Sequence, residues 1–199
     1  MISIVDYGVG NLKSLKNALE FLEIPCKLIS SAAEIATAEK LLLPGVGAFA
    51  YAVENLHIFD LKAPIIEGAK NGVPILGICL GMQLLFTDSE EGGGKSGLDL
   101  IPGHVKQLVG NVKVPHVGWN EINSTRPSKL FKGLPPTRFA YFVHSYYCEP
   151  ESKETVTATT EYGTSFPCVT EQDNVFGVQF HPEKSQELGL ELLKNFSDL

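Results

Sequence analysis

The chain lacks the features that mark membrane-spanning, secreted and nucleic-acid-binding proteins. No apolar run reaches the roughly 18 residues that a membrane span needs, and residues 1–11 lack the basic region and apolar core of a signal peptide. The 16 Lys and Arg residues are outnumbered by 23 Asp and Glu, and they are scattered rather than gathered into a stripe that follows phosphates. We therefore expect a cytoplasmic protein that binds neither membrane nor nucleic acid.

Cysteine is scarce, and the four cysteines at positions 26, 79, 148 and 168 lie far apart. They form no C-x-x-C pair and no Cys/His cluster with the spacing of a zinc site. We expect free thiols, no metal site and no cofactor. At 199 residues the chain is long enough to bury a core of its own, and we expect one domain over residues 1–199.

The first 80 residues alternate between short apolar runs and stretches with helical spacing. The apolar runs predict strands, and they lie at 2–5, 26–29, 40–43 and 74–78. Helical stretches lie between them, one of them starting after Asn11, which is well placed as an N-cap. Strands that alternate with helices form a parallel sheet, so the predicted class is α/β.

Beyond residue 88 the pattern changes to a Gly-rich stretch and several extended segments. They lie near 104–107, 138–143, 155–160, 166–171 and 175–180. They predict an antiparallel extension of the sheet, and a last amphipathic helix over about 185–197 closes the domain. The expected architecture is a single three-layer domain with a central, mostly parallel sheet flanked by helices.

A candidate nucleophile lies where the strand 74–78 meets the next helix. The sequence Gly77-Ile78-Cys79-Leu80-Gly81 has the context of a G-x-S-x-G nucleophile elbow, with sulfur in place of oxygen. The glycines avoid clashes across the sharp turn, which holds the nucleophile in a strained, pocket-facing position. Unpaired N–H groups at the start of the helix favour a thiolate. A buried structural cysteine is the plain alternative, and it suits the other three cysteines.

A candidate base follows the segment 175–180. A cysteine nucleophile needs a base, and that base needs a partner that fixes its tautomer. His181 and Glu183 can supply both, because Pro182 favours an extended backbone that projects the two side chains to the same side. The remaining histidines, including His116, are interpreted as ordinary surface or core residues.

Two groups of residues are candidates for the oxyanion hole and the substrate pocket. The Leu80 N–H is the usual first oxyanion donor in an elbow, and the turn Gly45-Val46-Gly47 can provide the second. Gln83 lies one helical turn beyond Cys79, and the segment His144-Ser145-Tyr146 follows a predicted strand. Both can line one pocket, and both can equally be simple packing.

Residues 77–83 and 180–183 together resemble the two signatures of class I (triad-type) glutamine amidotransferases, with His181 lying 102 positions after Cys79. Within that family, segments 6–11, 44–47, 115–120 and 141–146 are similar to the glutaminase subunits of imidazole glycerol phosphate synthases. The resemblance covers nearly the whole chain.

The resemblance implies an activity, a site and a partner. Cys79, His181 and Glu183 would form the triad of a glutaminase. Glutamine would be held by Gly47, Gln83 and Glu91, and by the backbone around His144, Ser145 and Tyr146. The ammonia would pass to a (β/α)₈-barrel cyclase that makes imidazole glycerol phosphate and aminoimidazole carboxamide ribotide in histidine biosynthesis. The docking face for this heterodimer partner would include Asn11, Trp119, Asn120, Tyr141 and Lys184.

Two residues bear on how the partner docks and on how docking would activate the oxyanion turn. Trp119, the only tryptophan, lies in what we interpret as a Gly-Trp-Asn loop, and tryptophan is enriched at interface hot spots. Val46 stands where most class I relatives have a second glycine, and a β-branched residue resists positive φ. We hypothesise that the oxyanion turn rests in an inactive conformation until the partner, with its substrate bound, rotates the peptide between Gly45 and Val46.

Three alternatives remain open at the level of sequence. A paralogous amidotransferase subunit would supply ammonia for the amidation of a surface sugar. A stand-alone cysteine hydrolase would use the same elbow and triad on a peptide or an ester, since fold and triad do not fix the substrate. A non-catalytic scaffold would have no need of all three reactive residues and both elbow glycines.

Overall fold

The computed structural model describes residues 1–135 and 138–199. The strands are β1 Ile2–Val5, β2 Cys26–Ile29, β3 Lys40–Leu43, β4 Ile75–Ile78, β5 Phe86–Ser89, β6 Lys95–Ser96, β7 Ile101–Gln107, β8 His116–Ser124, β9 Arg138–His144, β10 Tyr146–Pro150, β11 Val156–Tyr162, β12 Thr164–Gln172 and β13 Val175–Val178. The α-helices are α1 Leu12–Phe21, α2 Ala32–Ala36, α3 Phe49–Ile58, α4 Lys62–Lys70, α5 Leu80–Leu84 and α6 Gln186–Ser197. Short 3₁₀ turns lie at Lys129–Phe131, Lys153–Thr155 and Pro182–Lys184. Within the described ranges no helix is both long and apolar enough to cross a membrane.

A nine-stranded sheet runs through the domain in the order β2-β1-β3-β4-β13-β12-β11-β8-β9. The half from β2 to β13 is parallel, and the half from β12 to β9 is antiparallel. A smaller sheet has the order β10-β7-β5-β6. The α/β class, the flanking helices and the antiparallel extension are therefore as predicted from the sequence.

Each face of the parallel half has its own apolar core. Side chains of successive strand residues point to opposite faces, so Leu42 and Leu76 join one core while Leu41 and Ile75 join the other. Helices α1 and α6 cover the first core, and α3 and α4 cover the second. Continuous apolar runs such as residues 40–43 follow from this coverage of both faces.

Three segments differ from their prediction. Residues 104–107 belong to β7, which extends the smaller sheet rather than the large one. The segment predicted as a strand over 175–180 ends as β13 at Val178 and pairs in parallel with β4, so it completes the parallel half. Residues 118–120, interpreted as a loop around Trp119, lie in β8. Its partner β9 begins 14 residues after β8 ends, and a pairing at that distance leaves little trace in local sequence.

Candidate active site

The elbow between β4 and α5 has the predicted strain. Cys79 adopts φ 55° and ψ −110°, a conformation that non-glycine residues rarely adopt and that often marks functional sites. A Cβ on Gly77 would lie 2.5 Å from the Gly81 carbonyl oxygen, and one on Gly81 would lie 1.7 Å from the Leu43 carbonyl oxygen. Both positions therefore require glycine. The turn packs closely against the end of β3, and Cys79 lies just beyond the end of β4.

The Cys79 thiol is 5% exposed, and it lines the wall of a cavity. Its Sγ lies 3.7 Å from the Val143 carbonyl oxygen and 3.8 Å from Nε2 of Gln179. The Cys79 N–H donates to the Val178 carbonyl, 2.8 Å away, which anchors the elbow to β13. The sulfur is therefore held at the carboxyl edge of the parallel strands, where reactive groups collect in open α/β sheets.

His181 and Glu183 meet as predicted. Nδ1 of His181 donates to Oε1 of Glu183 at 2.9 Å, and both side chains are at most 5% exposed. Backbone contacts fix the histidine, because its N–H donates to the Tyr141 carbonyl and its own carbonyl accepts from the Ser185 hydroxyl. Since Nδ1 carries the proton, Nε2 is the nitrogen available to the sulfur. It is buried and has no nitrogen or oxygen partner among the described residues.

The electrostatics of this group favour an ion pair. Burial alone lowers the pKa of His181, but hydrogen bonding and charge from Cys79 and Glu183 outweigh it and raise the pKa to about 10. An imidazolium between a carboxylate and a sulfur stabilises the thiolate. The arrangement can therefore present a thiolate nucleophile and, on the same side, a proton for a leaving amine.

A cavity of about 280 Å³ opens in front of Cys79. It brings together eight of the residues predicted for the oxyanion hole and the pocket, namely Val46, Gly47, Leu80, Gln83, Glu91, His144, Ser145 and Tyr146. Gly45 lies behind this wall, where a Cβ would come within 2.8 Å of the Leu80 Cβ and the Tyr7 hydroxyl. Pro115 and Val143 also line the cavity; the sequence analysis included them in family-like segments but gave neither a role in the pocket.

Glu91 lies on the cavity wall although three glycines follow it. Its Oε2 accepts from the Phe49 N–H at 2.8 Å, and its own N–H donates to the Ser89 hydroxyl at 3.1 Å. These two bonds fix the carboxylate before the Gly-rich loop begins. The cavity wall thus includes a carboxylate as well as the Cys79 sulfur.

Gln179 is the residue near the sulfur that sequence reasoning missed. It is fully buried, its Nε2 approaches Cys79 Sγ, and its Oε1 lies 3.4 Å from Nε2 of Gln83. The parallel register that pairs Val178 with Ile78 places it beside Cys79. A signal was present, because both strands end immediately before these residues, but it required knowing that β4 and β13 are neighbours.

The turn between β3 and α3 keeps Val46 out of the left-handed region. Positive φ occurs instead at Gly47, where φ is 111°. The Val46 side chain is 40% exposed at the rim of the cavity.

The predicted docking residues form two groups. Trp119, 48% exposed, lies opposite Tyr141 in the β8–β9 pairing, with ring centroids 6.2 Å apart. Lys184 places Nζ 5.6 Å from the centroid of the Tyr141 ring. These three side chains form one surface, which we call the aromatic face. Asn120 follows Trp119 in β8 and bonds the Glu161 carbonyl.

Asn11, the remaining predicted docking residue, lies next to the triad. Its Oδ1 accepts from the Ser14 N–H and caps α1, as predicted. It also borders a narrow cleft together with Gly45, His181 and Glu183.

The fold and the site together define a class of protein. A strained cysteine elbow at the carboxyl edge of a parallel sheet, next to a buried His-carboxylate pair, is the arrangement of α/β acyl-transfer enzymes with a cysteine nucleophile.

Comparison with known proteins narrows this class. The family model for glutamine amidotransferase class-I matches residues 3–198. The imidazole glycerol phosphate synthase subunit HisH of Moorella thermoacetica is 54% identical over 100% of this chain and 94% of its own length. The same subunit of Syntrophotalea carbinolica is 47% identical over 100% of both chains. The chain therefore belongs to the class I glutamine amidotransferase family, and within it to the HisH subunits.

Solved structures support the same fold at low identity. A crystal structure of a glutamine amidotransferase matches with a TM-score of 0.78, 17% identity and coverage of 100% of both chains. The structure of PurLQS from Thermotoga maritima matches with a TM-score of 0.75 and 17% identity, over 99% of this chain and 97% of that one. At such identity these likenesses concern the architecture alone.

Proposed function

We propose that this chain is the glutaminase subunit of an imidazole glycerol phosphate synthase in histidine biosynthesis. The observation that carries the proposal is the strained Cys79 elbow on the wall of a small cavity, with the Cys79 side chain hydrogen-bonded to the buried His181–Glu183 pair. Full-length relatives with the HisH name favour this role over a sugar-amidating paralogue or a stand-alone hydrolase. The four free cysteines fit a reducing cytoplasm.

In the first half of the reaction, the Cys79 thiolate attacks the side-chain amide carbon of glutamine. A carbon–sulfur bond forms, and the amide oxygen takes up negative charge near the Leu80 N–H. As the intermediate collapses, the carbon–nitrogen bond breaks and the His181 imidazolium gives its proton to the nitrogen, which leaves as ammonia. A thioester of glutamate remains on Cys79.

In the second half, the same groups act in reverse. The now neutral His181 takes a proton from water, and the resulting hydroxide attacks the thioester carbon. The carbon–sulfur bond breaks, glutamate leaves, and the imidazolium–thiolate pair is restored. Glu183 holds the imidazole tautomer through both halves, since its hydrogen bond to Nδ1 leaves Nε2 facing the sulfur.

The cavity wall suits the two ends of glutamine. The Glu91 carboxylate, held by the Phe49 N–H, offers a counter-charge to the α-ammonium group. Gln83 and the backbone of Ser145 and Tyr146 line the remaining wall and supply neutral hydrogen-bonding groups.

The partner in this proposal is a (β/α)₈-barrel cyclase that docks on the aromatic face. An exposed tryptophan packed edge-to-face against a tyrosine, with a lysine over that ring, has the composition of an interface hot spot. Because ammonium is not nucleophilic, the ammonia has to reach the acceptor along an enclosed path. Tyr141 links the two regions, since its carbonyl accepts from the His181 N–H.

The oxyanion turn is the proposed point of control. Val46 resists the positive φ that a second glycine would accept, so docking with acceptor bound would supply the energy that rotates the Gly45–Val46 peptide. Glutamine hydrolysis would then be slow in the isolated subunit and fast in the complex. Equal rates in the two states contradict this part of the proposal.

The test is ammonia release from glutamine, measured with the subunit alone and with a co-purified cyclase and its acceptor. Cys79→Ala should abolish release, whereas Cys26→Ala, at a partly exposed thiol in β2, should leave it unchanged. The proposal would be refuted if Cys79→Ala released ammonia at the wild-type rate, or if the isolated chain hydrolysed peptides and esters without a cyclase.

A further inference from the structure

Two buried histidines lie behind the glutamine pocket, and the proposed reaction uses neither side chain. His116 begins β8 and His144 ends β9, where they are paired directly across the two strands. They are 3% and 5% exposed, and Nδ1 of His116 lies 3.0 Å from Nε2 of His144. Nδ1 of His144 in turn lies 2.9 Å from the Tyr146 carbonyl oxygen.

The surroundings keep both rings neutral. Burial lowers the pKa of His116 to about 4 and that of His144 to about 3. Neither ring has a carboxylate among its described partners. His116 is stacked on Tyr162, with centroids 3.9 Å apart, and on Phe142 at 5.0 Å. An apolar, aromatic enclosure of this kind disfavours an imidazolium.

The position of each proton follows from the partners. A carbonyl oxygen only accepts, so Nδ1 of His144 is the protonated nitrogen and Nε2 is the acceptor. Nδ1 of His116 must then be the donor in the bond between the rings. Its Nε2 is left as an acceptor, which matches the Asn120 side-chain amide 3.4 Å away. Both rings are thus in the Nδ1–H tautomer, which is the less common one for free neutral histidine in water.

The Tyr146 carbonyl, which accepts the hydrogen bond from His144, belongs to the pocket wall. The Tyr146 carbonyl also accepts from Nε2 of Gln83 at 3.0 Å, so both of its lone pairs are used. Gln83, His144, Ser145 and Tyr146 all line the cavity in front of Cys79. A change in the His144 ring would therefore move the backbone against which glutamine is held.

We propose that His116 is a positioning residue for glutamine: its Nδ1–H fixes the tautomer and orientation of His144, which fixes the Tyr146 carbonyl in the pocket wall. The part that concerns glutamine rests on the proposed glutaminase function. The part that concerns the two protons does not, so the two can fail separately.

The direct test is long-range ¹H–¹⁵N correlation spectroscopy of the imidazoles in the intact protein at neutral pH. We expect protonated Nδ1 and unprotonated Nε2 at both His116 and His144. His57→Phe, at an exposed residue of α3, should change neither pattern. A proton on Nε2 of His144 in the wild-type protein overturns the proposal, whatever the activity.

The functional test uses two substitutions of His116 in the complex with cyclase and acceptor. His116→Phe keeps a flat ring against Tyr162 but removes the donor, and leaving Nε2 of His144 unsatisfied should raise KM for glutamine about tenfold with a much smaller change in kcat. His116→Asn places an amide N–H near the former Nδ1 and should recover most of the affinity. Equal KM values for wild type and a folded His116→Phe variant overturn the proposal.

The outcomes separate the two hypotheses. If the wild-type complex releases no ammonia, the glutaminase function fails while the tautomers remain testable. If His116→Phe does not fold, the wild-type spectrum still decides the proton positions.

Discussion

We expect the buried histidine pair to make the protein less stable in mild acid. For a histidine with a lowered folded pKa, the unfolded chain takes up the proton first, so the stability contribution is complete above the unfolded pKa of about 6.5 and is lost as the pH falls toward the folded value. The folded values are about 4 for His116 and about 3 for His144. The window from pH 7 to pH 5 therefore covers the steep part of the loss.

The size of the effect follows from proton linkage. Over those two pH units, a histidine neutral in the folded state loses about 2 kcal/mol relative to the unfolded chain. His144 should contribute close to that, while His116, enclosed by fewer atoms, should contribute about 1 kcal/mol after solvent screening. We expect a total of about 3 kcal/mol, a large share of a typical free energy of unfolding of about 5–15 kcal/mol.

The titration of His181 does not reduce the predicted loss of stability between pH 7 and pH 5. Its pKa is raised to about 10, so its contribution is fully present below about pH 6.5 and is lost only as the pH rises toward 10. The assay is guanidinium unfolding followed by circular dichroism at a series of pH values. His116→Phe should weaken the dependence of the free energy of unfolding on pH, and His57→Phe should leave that dependence unchanged. A loss below about 1 kcal/mol between pH 7 and 5 would refute neutral burial of the pair.

Three further predictions concern the triad, the elbow and the docking surface. In the complex, Glu183→Gln should lower kcat for glutaminase by about 10²- to 10⁴-fold with little change in KM, because the imidazole loses its orienting carboxylate; an unchanged kcat would remove Glu183 from the triad. Gly81→Ala should cost at least about 3 kcal/mol in guanidinium unfolding, because its methyl would meet the Leu43 carbonyl oxygen. Gly68→Ala should be tolerated, because its methyl would make only ordinary van der Waals contacts with Leu41 and Val73. Trp119→Ala should weaken cyclase binding at least about tenfold by calorimetry; unchanged affinity would place the interface elsewhere.

The elbow and the triad partners could be predicted because their signals are local. Steric crowding at a sharp turn dictates glycine two residues either side of Cys79, and this pattern is visible in five letters of sequence. The His181–Glu183 contact spans two residues and depends on an intervening proline. Likewise, residues 41–43 are all leucine, and all are buried, because each face of the sheet is covered.

Sequence reasoning gave least where contacts depend on pairings between distant segments. Trp119 was interpreted as part of a loop, but it lies in a strand whose partner residue, Tyr141, is 22 residues away. His116 was interpreted as an ordinary residue, since its contact with His144 exists only through the same pairing. Gln179 reaches Cys79 only because β13 lies beside β4. Such registers are set by the whole core rather than by neighbouring residues.

The site contains the same side chain in two opposite electrostatic states, and the hydrogen-bond partners explain the difference. His181 and His144 are both almost completely buried. His181 bonds Cys79 and Glu183, so its pKa rises despite burial; burial lowers the pKa of His144, whose bond to a neutral carbonyl offsets little of that effect. The first can therefore deliver a proton to departing ammonia, while the second holds the pocket wall without competing for that proton. Removing the Glu183 carboxylate should shift His181 toward the neutral state of His144, which would impair the chemical step before it affects the binding of glutamine.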